Sequence, residues 1–198
     1  MAVLRKVAAP NLPLSPLQYS NSWQEQFSNV LRLFFNQLVT TVGSATPYGS
    51  FYDTTTQTNP VSGATNIAHL NTIVTQYLCS VEDGVANSRV YVTQSGVYNI
   101  QFSAQTQKGG GPTTSIYFWM LQNGINIPNS TGYIAIAPND KGIAAWNFLL
   151  QLQAGDYVQL AWACTDTGAT LPAIVPTVSA PASPSMIFTI NWVSSLSY

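Results

Sequence analysis

Two turn-punctuated stretches of strict alternation constrain this chain most: Ser95-Gly96-Val97-Tyr98-Asn99-Ile100-Gln101-Phe102 and Leu150-Gln151-Leu152-Gln153-Ala154-Gly155-Asp156-Tyr157-Val158-Gln159-Leu160. In the first, Gly96 breaks the chain and Tyr98, Ile100 and Phe102 follow at the period-two spacing that a strand with one buried face requires. In the second, Leu150 and Leu152, then Val158, Leu160 and Trp162, point one way across Ala154-Gly155-Asp156, where glycine supplies a positive φ that other residues resist. That pattern predicts a hairpin. Together the two stretches predict a two-sheet sandwich, and a scaffold or binder before an enzyme.

The same alternation extends the strand prediction to 48–55, 67–71, 74–81, 89–93, 97–107, 115–122, 142–153, 157–164 and 185–194. Between these runs stand Gly109-Gly110-Gly111-Pro112, Asn123-Gly124 and Pro138-Asn139-Asp140-Lys141-Gly142, turn chemistry of the expected kinds. Asn123-Gly124 is the strongest short hairpin signal among them.

The first 46 residues read differently. Pro10, Pro13 and Pro16 block helix and bias their predecessors to extended geometry, so 1–17 is expected to be an arm lying along a neighbouring surface. Ser22-Trp23-Gln24-Glu25 reads as a capping box opening a helix that runs to about Val39. Within it Trp23, Phe27, Val30, Leu31, Phe34 and Leu38 recur at three- and four-residue steps, while Gln24, Ser28, Arg32 and Asn36 mark a polar side. Leu33 and Phe35 fall off the stripe, which leaves two readings: a helix buried both on its own domain and on another chain, or a single amphipathic helix capping the sandwich. After a small-residue linker at 40–46, the division is an arm-and-helix segment, 1–46, and an all-β domain, 47–198.

Composition narrows the partners. Charged residues make up 7% of the chain against about 25% in typical domains, their place taken by Ser, Thr, Asn and Gln. Such a surface suits a protein packed against identical copies or a larger shell, where every desolvated charge would need a partner; the plainer alternative is a β-rich, turn-rich composition. The basic residues Arg5, Lys6, Arg32, Arg89, Lys108 and Lys141 are scattered around a net charge of -1, so no specific nucleic-acid partner is expected. No apolar run approaches the ~20 residues of a bilayer span, and the start of the chain lacks the apolar segment of a secretory leader, so synthesis in the cytoplasm and no membrane partner are expected. Cys79 and Cys164 each sit in an apolar strand pattern and are expected to be buried thiols, a single disulfide being the alternative.

No catalytic constellation emerges. His69 is the one histidine, without a Gly-x-Ser-x-Gly elbow or a usefully spaced cysteine, and is expected to be structural. His69, Cys79 and Cys164 are too few for a closed zinc site, Glu82-Asp83-Gly84 reads as a solvated turn before a calcium loop, and the glycine run at 109–111 lacks the Lys-Ser/Thr of a phosphate loop. Asp156 is expected to accept amide hydrogen bonds in its turn. Neither enzyme activity nor a cofactor is called for.

Gly96, Tyr98, Ile100 and Phe102, followed by Leu152, Gly155, Asp156, Val158 and Leu160 and by the closing Met186-Ile187-Phe188-Thr189-Ile190-Asn191-Trp192-Val193, resemble the strand blocks of the C1q and tumour-necrosis-factor superfamily. The resemblance implies an all-β jelly-roll sandwich preceded by the arm and one α-helix, and a homotrimer. For an apolar threefold axis it offers Tyr98, Trp119, Tyr157 and Trp162. No collagen-like stalk precedes the domain, so complement or cytokine roles do not carry over. Asn11-Leu12-Pro13-Leu14-Ser15-Pro16, the run Val30-Leu31-Arg32-Leu33-Phe34-Phe35-Asn36-Gln37-Leu38, and Phe118-Trp119-Met120-Leu121-Gln122-Asn123-Gly124 with Ile127-Pro128-Asn129-Ser130 are similar to virion proteins of tailed, notably marine, bacteriophages. That implies a capsid decoration or cement protein held on the major capsid protein, or another virion protein, through Leu12, Leu14, Trp23, Phe27, Leu31 and Phe34. The rival expectation is a receptor-binding fibre tip whose loops 108–114, 125–133 and 171–183 recognise a host surface glycan.

Overall fold

The computed structural model describes residues 10–14, 17–18, 20–42, 46–82 and 87–196, without the side chains of 38–42. Most of the expected arm, the linker at 43–45, the side chain of Leu38, and Asp83-Gly84 of the acidic turn lie outside the described residues. The chain divides into two units, Met1–Ala45 and Thr46–Tyr198.

The first unit holds one helix, α1 (Asn21–Val42). It starts before the expected Ser22 cap: the Ser20 carbonyl accepts from the Gln24 amide at 3.1 Å and its hydroxyl from the Trp23 amide at 3.5 Å. Ser20 therefore takes the N-cap role, and Ser22 lies inside the first turn, its hydroxyl 2.8 Å from that of Ser20. Trp23 and Phe27, one turn apart, stack at 5.2 Å. No helix among the described residues is long and apolar enough to cross a membrane.

The second unit is an all-β jelly roll of two antiparallel sheets. Its strands are β1 (Tyr48–Asp53), β2 (Gln57–Thr58), β3 (Asn66–Ile67), β4 (Thr72–Tyr77), β5 (Cys79–Val81), β6 (Val90–Val92), β7 (Gly96–Lys108), β8 (Thr114–Gln122), β9 (Ile125–Asn126), β10 (Gly132–Ile136), β11 (Lys141–Leu152), β12 (Tyr157–Cys164), β13 (Ala169–Leu171) and β14 (Met186–Ser194). The first sheet runs β11-β7-β14-β1-β4, with β13 and β2 continuing one end of β7; the second runs β10-β8-β12-β6-β5, with β9 on β8 and β3 on β12. Alternation decides the packing: Tyr98, Ile100, Phe102 and Ala104 of β7 face Ile116, Phe118 and Met120 of β8 and Val158, Leu160 and Trp162 of β12 in one core. Phe102 and Phe118 bridge the sheets at 5.6 Å, and Trp146 of β11 packs on both, at 5.3 and 5.8 Å.

Three expectations need correction. The stretch around Gly155 is no hairpin: β11 pairs with β7 in the first sheet and β12 with β8 in the second, so the 153–156 turn carries the chain between sheets. Local alternation is the same whether two strands pair or face each other across a core, which is why the pattern misleads. Nor is 74–81 one strand. Leu78 adopts φ 53°, ending β4 in the first sheet and starting β5 in the second. Of 67–71 only Ile67 pairs, together with Asn66 before it, leaving 68–71 irregular with the Ala68 and Leu70 side chains in the core. By contrast Asn123 (φ 52°) and Gly124 (φ 80°) form the expected tight turn between β8 and β9.

Candidate functional site

The first sheet turns outward a broad face almost without charge. Because β4, β1, β14, β7 and β11 lie side by side, residues align in rows across five strands: Thr75-Ser50-Thr189-Gln101-Asn147, then Tyr77-Tyr48-Asn191-Asn99-Leu149. Outward positions along β7 are Val97, Asn99, Gln101, Ser103, Gln105 and Gln107, and along β11 Ile143, Ala145, Asn147, Leu149 and Gln151; Lys141 at one end of β11 is the charge on these two strands' outward face. Amides and hydroxyls can exchange hydrogen bonds with a like surface without stranding a charge.

At one margin of this face the two sheets meet along β11 and β10, where Trp146 packs on Gly132. β11 is an edge strand of twelve residues whose other side joins no ladder among the described strands. Ile143 and Leu149 are 62% and 65% exposed on its outer side, and Trp146, Phe148 and Leu150, which point inward, are only partly covered. Beside it runs β10 of the second sheet, where Tyr133 is exposed and packs against Tyr117 with the rings tilted, centroids 5.7 Å apart. A long apolar edge of this kind invites pairing with another chain unless something covers it.

At the opposite margin, residues 172–184 fold back over β1, β4 and β14, pinned by the pair Ile174 and Ser183. Beneath them is a cleft of about 740 Å³ lined by Tyr52, Ser50, Thr54, Thr56, Val74, Ile174, Val175, Pro176, Pro184 and Ile187. Its lining carries hydroxyls, one aromatic ring and aliphatic groups, with no ionisable acid or base except the Tyr52 phenol. It can hold a neutral ligand but offers nothing to move a proton or bind a metal. Of the loops expected to reach a glycan, 171–183 contributes to this cleft.

The four residues offered for a threefold axis do not converge. Tyr98 and Trp162 are core residues, 0% and 1% exposed, and present no surface to another chain; the alternation that marks them as apolar points them between the sheets. The Tyr98 hydroxyl donates to the Gln94 carbonyl at 2.6 Å, and burial, then the neighbouring Cys79, raises its pKa. Trp119 and Tyr157 lie instead on the outer face of the second sheet. Trp119 donates through Nε1 to Asn126 at 2.8 Å, and Tyr157 packs against Tyr91 with the Arg89 guanidinium 5.0 Å above its ring. Of the expected anchoring residues, Leu12 and Leu14 are exposed and Trp23, Phe27, Leu31 and Phe34 are partly buried on one side of α1. The edge residues Ile143, Leu149 and Tyr133 were invisible as a site in the sequence; the break of alternation into consecutive apolar Phe148-Leu149-Leu150 is the signal that could have flagged them.

Several polar side chains in and beside the core fix its turns and loops. Asp156 fixes the inter-sheet turn by accepting from the Gln153 amide at 2.8 Å, Asn123 at 2.8 Å and Gln122 at 2.9 Å. Burial pushes its pKa up, but those three donors outweigh burial and hold the carboxyl below the usual range. Lys108, fully buried, donates to the Gly110 carbonyl at 2.7 Å and pairs with Asp166; that bond, with the Gly168 amide, lowers the Asp166 pKa. Asp53, also buried, accepts from Thr55 and Gln57. His69 is exposed, and its backbone exchanges hydrogen bonds with the Gln57 side-chain amide. Cys79 and Cys164 are buried free thiols, and burial raises the Cys79 pKa to about 12. Among the described residues no three His, Cys, Asp or Glu side chains gather as metal ligands.

Comparison with known proteins finds no matching family model and no matching curated protein. Among solved structures the jelly roll is similar to the globular domain of zebrafish complement 1qA protein: at 12% identity and a TM-score of 0.50, the match covers 77% of this chain and all of that domain. The chain thus has a C1q-like jelly-roll fold.

Proposed function

We propose that this chain is a non-enzymatic structural protein of a tailed-phage virion, a trimer of C1q-like jelly rolls attached to the capsid or tail by its N-terminal segment. The observation that carries the reading is the adjacency of the nearly uncharged outer face of the first sheet to the apolar margin at β11 and β10. Copies related by a threefold axis would bring the apolar margin of one protomer onto the polar face of the next, covering Ile143, Leu149 and Tyr133 and ending the open edge. This replaces the axis through Tyr98 and Trp162. The scarcity of charge over the whole chain supports a protein that lives packed among protein neighbours. Leu12 and Leu14, exposed beside Pro10 and Pro13, support attachment through the arm, and the likeness of the N-terminal segment and of 118–130 to virion proteins supports the phage assignment.

In the decoration form, the arm lies across major capsid subunits and the trimer bridges them. The test is binding to particles that lack the protein, comparing the full chain with one missing residues 1–17. Loss of particle binding on truncation is expected; unchanged binding would overturn attachment through the arm. The cleft under 172–184, with Tyr52 available to stack on a sugar ring, supports the second reading, a receptor-binding fibre tip. Glycan-array binding that Tyr52→Ala abolishes would favour that reading, and silence on the array would count against it.

A further inference from the structure

From the pattern of α1 we infer that this helix packs against its own copies as a parallel three-helix bundle, so that its apolar stripe is an assembly seam and not the surface that meets the particle. The inference rests on the trimeric reading above and assigns a partner to the helix within it. Written as heptads, Phe27 and Phe34 occupy a positions and Trp23, Val30 and Gln37 occupy d positions. Glu25 and Arg32, the only charged residues of the helix, then both fall at f, the position farthest from the seam. Identical copies can therefore close side by side with no like charges in contact, which is the charge pattern self-association requires.

Two further features select three helices. Leu31 and Leu33 occupy e and g and widen the apolar surface beyond the narrow a/d stripe of a two-stranded coil; Leu33 is 61% exposed. Phe27 and Trp23 stack along the seam and need a wide interior. Short tethering supplies the proximity: only residues 43–47 separate α1 from β1, a reach of under about 20 Å at ~3.5 Å per residue. A jelly-roll trimer would hold three helices at an effective concentration of order mM, enough to close a short bundle that would be marginal alone.

The test uses the full chain carrying Val30→Cys at a seam position or Glu25→Cys at the outer position, with the wild type as control. Cys79 and Cys164 are buried and leave the background silent. Under mild oxidation of dilute protein, Val30→Cys is expected to give covalently linked chain pairs with the third copy unlinked, and Glu25→Cys and wild type none. Light scattering on the same samples separates the two levels of the account. A trimer in which Val30→Cys fails to cross-link, or cross-links no more than Glu25→Cys, overturns the bundle and leaves the trimeric reading standing; a monomer overturns both.

Discussion

A single carboxylate shows how much this fold depends on its turns. Asp156 ties the 153–156 turn to Gln122 and Asn123 of the second sheet, so Asp156→Ala removes three acceptor contacts at once. A loss of about 1–3 kcal/mol is expected, read as the midpoint of urea unfolding. Because its folded pKa lies below the unfolded one, its contribution is present above the unfolded pKa and disappears as pH falls through the folded value; the variant's deficit should therefore shrink in acid. Cys79 works at the other end of the scale. Its thiol, raised to about 12 from 9.0, is more stable neutral in the fold, so its contribution is complete below the unfolded pKa and lost as pH rises toward 12. Stability should fall between about pH 9 and 12, and Cys79→Ala should flatten part of that slope; native protein should also react with thiol reagents only as it unfolds.

Among the elements, β7 and β14 meet where Gly96 leaves room for Trp192. A Cβ at Gly96 would stand 2.1 Å from the Trp192 indole nitrogen and 2.7 Å from the Ser194 carbonyl, so Gly96→Ala should cost about 1–3 kcal/mol and lower the melting temperature. Gly96 is legible in the sequence as a strand opener, but the reason for it, a tryptophan nearly a hundred residues away, is not. The same holds more widely. A strand with strict alternation, such as β7, could be read almost to the residue, because burial on one face writes itself into the pattern. β10 could not, since Gly132-Tyr133-Ile134-Ala135-Ile136 alternates weakly and is set by pairing with β8 and by Trp146 packed on Gly132. Of the candidate site, the scarcity of charge was legible, whereas its concentration on one face follows from register, which the sequence does not show.

At the scale of the molecule, the exposed apolar margin of β11 is the part that a monomer does not explain. Ile143→Lys and Leu149→Lys place charges on side chains already more than half exposed, so each should leave monomer stability within about 0.5 kcal/mol of wild type while splitting the assembly. Unfolding that becomes independent of protein concentration in these variants would confirm the separation of folding from association. The central claim, that the jelly roll itself trimerises, is tested most directly by the mass of the purified protein in solution, measured by light scattering with and without residues 1–46. A trimer in both is the predicted result; a chain that becomes monomeric when 1–46 are removed would contradict it and assign the assembly to the helix alone.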